Sequence, residues 1–433
     1  MALKEISTTQ VEMGMYIHSF QGSWLSHPFW RAKFLIEDDE KLQAVRQAAL
    51  DAVVIDTDRG KDVPAPAEAP PARGPALHPS LKARNQRAAA KAAAAPAAIR
   101  PAIRPMAPRP GTSSVAREFG NARRTAGQAR KVISKVFIEA RLGKAPRVAE
   151  VAPVVEDIHA SIERNPYAFS GLMRCKSEME AIYKHMLSVS ALMVSLSRHL
   201  GLSPQETRTA GMAGLLLDVG VSRLDIDLTD LDRGVEGIDP DLWHRHCYVG
   251  RDLLAAAEEV PEEVLQAVAR HHELMDGSGF PQGLEDREID LISRMAAICD
   301  RFDLLVSGAA TGEPWDPAEA MRTMMGREGA YDPEILARFQ EALGVYPVGS
   351  FVRLRSDRIA MVIDQDTSEP ALPTVRAFYS ITTGKHVKAK VIELANCFGE
   401  DAIAGIADLA EYGLPPAEDL REQLFTLGAK QAS

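Results

Sequence analysis

Cysteine is scarce in these 433 residues, and the little there is shows no pairing by spacing. Cys175, Cys247, Cys299 and Cys397 are scattered, with no C-x-x-C. That excludes a disulfide-stapled scaffold, argues against a cysteine metal site and fits a reducing cytoplasm. A long apolar run is also missing. The longest mostly apolar stretch, MLSVSALMVSLS from Met186, is too short for a bilayer and carries several serines, so no membrane span is expected. The N-terminus MALKEISTTQVEMG has no apolar core of the signal-peptide kind. Positive charge is in deficit: 50 Lys and Arg face 60 Asp and Glu, a formal net charge of −10. A nucleic-acid polymer is therefore not an expected partner. What remains is a 46% apolar chain, ordinary for globular protein, with room for two or three domains.

Five segments follow from composition and periodicity. Residues 1–60 read as a small α+β domain, with strands in VEMGMYIHSF, AKFLI and AVVID and a helix in DDEKLQAVRQAAL. WLSHPFW, residues 24–30, reads as core and turn. Residues 61–125 are rich in Ala, Pro and Arg. Such composition cannot bury enough apolar surface to offset chain entropy, which predicts a disordered linker. Residues 126–345 carry helical apolar spacing almost throughout, as in IYKHMLSVSALMVSLSRHLG and DLISRMAAICDRFDLLVS. Residues 346–400 switch to short strands, a small β module, and 401–433 read as a helical tail. The expected class is mainly α, a helical bundle with small modules at either end.

Chemistry-bearing residues gather on the helical segment. His185 lies on one helix, and Asp218 sits in the apolar run LLLDVGV, residues 215–221. His246 follows in WHRHCYVG, His271 and His272 are adjacent, and Asp300 interrupts an apolar helix. Taken singly, each is more often a core or surface residue. Taken jointly, imidazole and carboxylate donors spread over several helices are how bundles build internal metal sites, and they suit Fe, Mn or Zn.

The joint pattern resembles the HD-GYP family, bacterial phosphodiesterases that hydrolyse the second messenger cyclic di-GMP. The family's loop H-H-E-x-x-D-G-x-G-Y-P-x-G-L stands here as HHELMDGSGFPQGL, residues 271–284. The helix ISRMAAICDRFDLLVS resembles the family's A-R-I-x-x-I-A-D-x-F-D-A-L-T-S. Residues 1–60 resemble the small domain often found ahead of HD-GYP domains, with MYI and WLSHPF in place of M-Y-V and W-x-x-x-P-F. The resemblance implies an HD-type helical bundle over 126–345. It implies that His185 and Asp300 bind one metal, that Asp218 bridges, and that His246, His271 and His272 complete a second metal. It implies Fe or Mn, one or two per chain or none. Asp276, Gly277, Gly279, Phe280 and Pro281 would form the substrate loop. Cyclic di-GMP, a signalling protein and a second copy of the chain are the partners it implies.

Besides Phe280 in place of the loop's Tyr, five positions depart from the pattern. The family's H-D-x-G-K stands as Leu217, Asp218, Val219, Gly220, Val221, so a metal ligand and a lysine are gone. In GAATGE, residues 308–313, Ala309, Gly312 and Glu313 replace two arginines and a lysine. Those cations suit phosphate recognition. Ala181 stands four residues before His185, where a three-metal subset has Glu, which argues against a third metal. The first expectation is therefore a binding or interaction module with weak or no hydrolysis. The second is an active metal-dependent phosphodiesterase with an altered site and Asp218 as a catalytic residue. Another HD-type nucleotide phosphohydrolase is the third.

Overall fold

The computed structural model describes residues 3–7, 10–21, 34–36, 42, 46, 52–57 and 59–61, and then 113–429. Short stretches at 145, 176–178, 227–234, 236–237, 258, 311, 366–368, 370 and 398–400 are excepted. The chain divides into two units, Met1–Ile99 and Arg100–Ser433.

In the first unit, β1 (Leu3–Ile6), β2 (Tyr16–Gln21), β3 (Phe34–Leu35) and β4 (Ala52–Asp56) form an antiparallel sheet ordered β1-β4-β2-β3. Ile6, Met15, Ile17, Ile36, Val53 and Ile55 bury its inner face. The strand β1 was not expected from sequence, because its four residues mix Lys and Glu with the apolar pair. WLSHPFW, and most of the expected helix apart from Leu42 and Arg46, lie outside the described residues, as does the linker as far as residue 112.

The second unit is a helical bundle followed by a sheet. Its helices are α1 (Val115–Arg141), α2 (Val148–Arg164), α3 (Ala168–Met173), α4 (Ala181–His199) and α5 (Pro204–Leu216). Then come α6 (Pro240–Ala255), α7 (Glu262–Arg270), α8 (Leu291–Ser307), α9 (Pro317–Met325) and α10 (Pro333–Leu343). The apolar run from Met186 is the core of α4, which is buried on nearly every side and packed against α2, α5, α8 and α10. A helix that is apolar all round belongs at the centre of a bundle. Among the described residues no helix is long and apolar enough to cross a membrane.

Local chemistry sets the helix ends that matter for the site. Ser203 caps α5, accepting from Glu206 N at 3.2 Å while Glu206 accepts from Ser203 N at 2.7 Å, and Pro204 follows at the first helical position. Asp290 caps α8 by accepting from Ser293 N at 3.0 Å, and Gly308 at φ +84° ends it.

Two expected boundaries are corrected. The helix α1 begins at Val115, inside the expected linker, because Val115, Phe119 and Ala122 recur on one buried stripe. The Ala- and Arg-rich composition hid that spacing. The expected helical tail holds a strand, β9 (Ile403–Ile406), before α11 (Ala417–Ala429). With β5 (Phe351–Leu354), β6 (Arg358–Asp364), β7 (Thr374–Ser380) and β8 (Lys385–Glu393) it forms an antiparallel sheet ordered β8-β7-β6-β5-β9. The α11 helix returns to the bundle: Phe425 stacks on Phe119 with ring centroids 4.9 Å apart. Its Arg421 donates to Gly349 O at 2.9 Å and Arg174 O at 3.2 Å. The fold is mainly α, with a small sheet module at each end.

Candidate metal centre

Five elements converge on one carboxylate. Asp218 follows α5 and opens a short 3-10 turn, Val219–Arg223, that lies against α6. The close approach depends on Gly220: a Cβ there would meet His246 O at 2.0 Å and Gly250 N at 2.6 Å. So glycine is not a simple helix stop here; it lets the turn carry Asp218 inward. Asp218 is 3% exposed. His185 Nε2 on α4 stands 3.3 Å from its Oδ2, and His246 Nε2 on α6 and His271 Nε2 after α7 stand 3.4 and 3.6 Å from its Oδ1. Asp300 on α8 places Oδ1 3.0 Å from His185 Nε2 and Oδ2 3.5 Å from His272 Nδ1. All six residues expected to be ligands are thus brought together.

Hydrogen bonds settle which lone pairs are free. His246 Nδ1 faces Trp243 O at 2.5 Å, and His271 Nδ1 faces Val268 O at 2.9 Å. A carbonyl only accepts, so both Nδ1 atoms carry the proton and both Nε2 atoms are bare when the rings are neutral. Yet these two Nε2 atoms face each other at 3.1 Å. Two lone pairs at that distance repel, so a proton or a metal ion has to stand between them. Burial pushes His246 down to about 4 and, aided by the neighbouring rings, holds His272 well below 6.5. Burial also lowers His271, but the Asp218 carboxylate outweighs it and leaves His271 raised. Burial raises Asp218, and the attraction of the adjoining His185 and His271 rings outweighs it, holding the carboxyl well below 3.8. Among the described residues, Asp218 Oδ1 and His272 Nε2 are buried without a hydrogen-bond partner. Burying unpaired polar atoms is costly, so in a native site they mark the place of an ion or water.

Two residues escaped the sequence reading. Asp303 Oδ2 accepts from His185 Nδ1 at 2.8 Å, and Ser188 Oγ donates to its other oxygen. Carboxylates with this contact orient a metal-binding imidazole and raise its basicity. Burial disfavours charge on His185, but the three carboxylates of Asp218, Asp300 and Asp303 raise it well above 6.5. The available signal was D-x-x-D on one helix face, Asp300 and Asp303. The second is Cys247, whose Sγ is 3.5 Å from His246 Nε2. The argument from Cys–Cys spacing missed it, since its partners are histidines. Two donor groups result: His185, Asp218 and Asp300, and His246, Cys247, His271 and His272, each with ligand atoms within 4.8 Å of one another.

The loop after His272 is built beside this centre. Buried Glu273 accepts from Gln282 N at 2.6 Å and Leu284 N at 2.9 Å, folding the loop back. At Gly279 a Cβ would meet Leu274 N at 2.3 Å, so only glycine fits. Asp276 is exposed and caps the turn, accepting from Ser278 N at 3.0 Å, with Gly277 next to it at φ +75°. Phe280, joined to Pro281, is sandwiched between His244 and His272, with centroids 3.8 and 4.4 Å apart. Its ring packs on the cluster without a hydroxyl.

A cavity of about 380 Å³ opens over His185, Asp218, His272 and Asp300. Met173, Met179, Ile182, Trp243 and Pro314 give it apolar walls, and Lys184 is the one Lys or Arg among the described residues lining it. Lys184 Nζ donates to Cys175 O at 2.9 Å and keeps two further protons to donate.

Residues 173–335 match the family described as HD domain, and residues 3–151 match a domain of unknown function, DUF3391. The chain is 34% identical over 406 residues to the cyclic di-GMP phosphodiesterase PA4108 of Pseudomonas aeruginosa, covering 93% of this chain and 92% of that one. This chain belongs to the HD-GYP-like family of HD-domain proteins. It is also 31% identical over 155 residues to the cyclic di-GMP phosphodiesterase response regulator RpfG of Xanthomonas campestris, 35% of this chain and 40% of that one. A solved structure, the HDG"Y"P protein Bd1817 of Bdellovibrio bacteriovorus, aligns at TM-score 0.45 and 18% identity, over 79% of this chain and 99% of that one.

Against the HD-GYP pattern, the departures sort by place. Leu217 and Val221 are fully buried and belong to the bundle core. Ala309 and Gly312 line the cavity, and Glu313 is exposed. The six expected donors cluster with Leu217 packed in the core behind them.

Proposed function

We propose that this chain is a metal-dependent phosphodiesterase that opens cyclic di-GMP, the second of the three sequence expectations, acting in the cytoplasm. The observation that carries it is the arrangement of donors around Asp218: bare nitrogens face one another and a buried carboxylate oxygen lacks a partner. That set fits a cation and is hard to account for as a purely structural core. His185, Asp218 and Asp300 would hold one metal, and Asp218, His246, His271 and His272 the other. Such a mixed imidazole and carboxylate set suits Fe or Mn. When bound, the metals supply an acidified water and positive charge against the phosphoryl oxygens.

The chain's own residues do the rest. Asp303 keeps the Nδ1 proton of His185 in place, so that Nε2 presents its lone pair. Met179, Ile182 and Trp243 offer apolar surface to a purine base and exclude water from it. Lys184, which lines the cavity, would supply the positive charge that Val221, Ala309, Gly312 and Glu313 do not, with its remaining protons to bond a phosphate oxygen. Hydrolysis adds water across one phosphodiester. A P–O bond forms to the water oxygen, the P–O3′ bond breaks, and the 3′ oxygen leaves with a proton, giving linear pGpG.

The test is chromatography of cyclic di-GMP incubated with anaerobically purified, metal-loaded protein. Linear pGpG is expected from wild type and none from Asp218→Ala. An inert wild type that still binds the nucleotide would favour the interaction-module reading, for which Leu217 is the specific observation. In the active reading Leu217→His raises metal content by supplying the missing donor, and unchanged content would contradict it.

A further inference from the structure

We infer that Cys247 is a sulfur ligand of the nitrogen-rich half of the centre, which makes the two metal sites chemically unequal. The inference rests on the metal-dependent reading above. Cys247 is fully buried beside His246 on α6. Tetrahedral sites with metal–nitrogen distances of about 2.0–2.1 Å and metal–sulfur of about 2.3 Å have donor–donor edges of roughly 3.3 Å for N–N and roughly 3.5 Å for N–S. The observed separations are 3.1 Å for His246 Nε2 to His271 Nε2 and 3.5 Å for Cys247 Sγ to His246 Nε2. The sulfur therefore already stands at ligand spacing.

A buried cysteine is ordinarily a small apolar residue whose thiol donates to the carbonyl four residues back. Cys175 does this, donating to Gly171 O at 3.5 Å. For Cys247 that carbonyl is Trp243 O, and His246 Nδ1 already bonds it at 2.5 Å in addition to the helix's own amide. Both lone pairs are used. The thiol is left facing the bare His246 nitrogen, in one cluster with His272, whose Nε2 is among the buried atoms without a partner. On metal binding the thiol proton leaves to solvent and the thiolate takes its place in the ligand set. Three imidazoles and a thiolate, beside the shared Asp218 carboxylate, form a softer site that prefers Fe, Co or Zn over Mn. The other side, with His185, Asp218 and Asp300, is oxygen-rich and holds its metal more weakly.

Cobalt(II) reports this directly. Full-length protein is stripped of metal by a chelator without oxygen and titrated with Co(II). The first equivalent is expected to produce a thiolate-to-cobalt charge-transfer band in the near ultraviolet. Cys247→Ser and Cys247→Ala lose that band and bind this equivalent at least about tenfold more weakly, while Cys175→Ala and Cys299→Ala retain it. Bound cobalt without the band in wild type, or a band that survives Cys247→Ala, overturns the inference and leaves the phosphodiesterase reading standing. A wild-type chain that binds no cobalt overturns both.

Discussion

Two buried carboxylates in this bundle solve the same problem in opposite ways. Glu118 on α1 is satisfied by the protein itself. It accepts from Ser161 Oγ at 2.9 Å, from Asn121 Nδ2 at 3.0 Å, and from Arg164 through two nitrogens at 2.9 and 2.8 Å. Burial raises its pKa, and those bonds outweigh burial and lower it below 4.5. Asp218 is as buried, but its neighbours are imidazoles whose Nδ1 protons are already spent, those of His246 and His271 on backbone carbonyls and that of His185 on Asp303. Glu118 is complete as folded; Asp218, in the proposed function, is completed by a cation. A buried acid marks function when its partners are other lone pairs.

The contrast can be broken most decisively at Asp218. Asp218→Ala should lower cyclic di-GMP hydrolysis by at least ~1000-fold, since it removes the donor shared by both metal sites. The far-ultraviolet circular dichroism should stay that of a helical bundle. Glu118→Gln should do the reverse. It removes the ion pair with the half-exposed Arg164 and destabilises the bundle by about 1–2 kcal/mol, read from denaturant unfolding, with metal content unchanged. Glu118 also carries a pH signature. Its folded pKa is depressed, so its stabilisation is fully present above 4.5 and is lost as pH falls through the folded value. The Gln variant should lack that loss. Lys184→Ala should lower kcat/KM by about tenfold or more, the worth of a charge-assisted hydrogen bond to phosphate, with metal retained. An unchanged kcat/KM would remove Lys184 from substrate binding. Phe280→Tyr is the smallest change. The ring is already stacked between His244 and His272, so the rate should move by no more than about twofold.

Much of this was legible in the sequence because the signals were periodic or local. Helical spacing gave the bundle, and period-two segments gave the C-terminal strands. The His and Asp positions were readable through the loop HHELMDGSGFPQGL, which ties His271 and His272 to a Gly-rich turn whose fit at Gly279 admits no side chain. What was not legible depends on neighbours distant in sequence. Asp303 matters because His185, on another helix, points Nδ1 at it. Cys247 matters because a carbonyl four residues back is already occupied. Lys184 acquires weight only when the cavity is seen to contain no other Lys or Arg among its described lining residues. The start of α1 at Val115 was masked by composition, since alanine and arginine serve linkers and helices alike.

The measurement that bears most directly on the central claim is metal analysis of wild type and Asp218→Ala, both purified without oxygen and reconstituted with Fe(II). The predicted result is about one to two metals per wild-type chain, the nitrogen-rich site filling first, and most of it lost in the variant. A wild-type chain that remains essentially metal-free, or equal loading of the two proteins, would contradict the account.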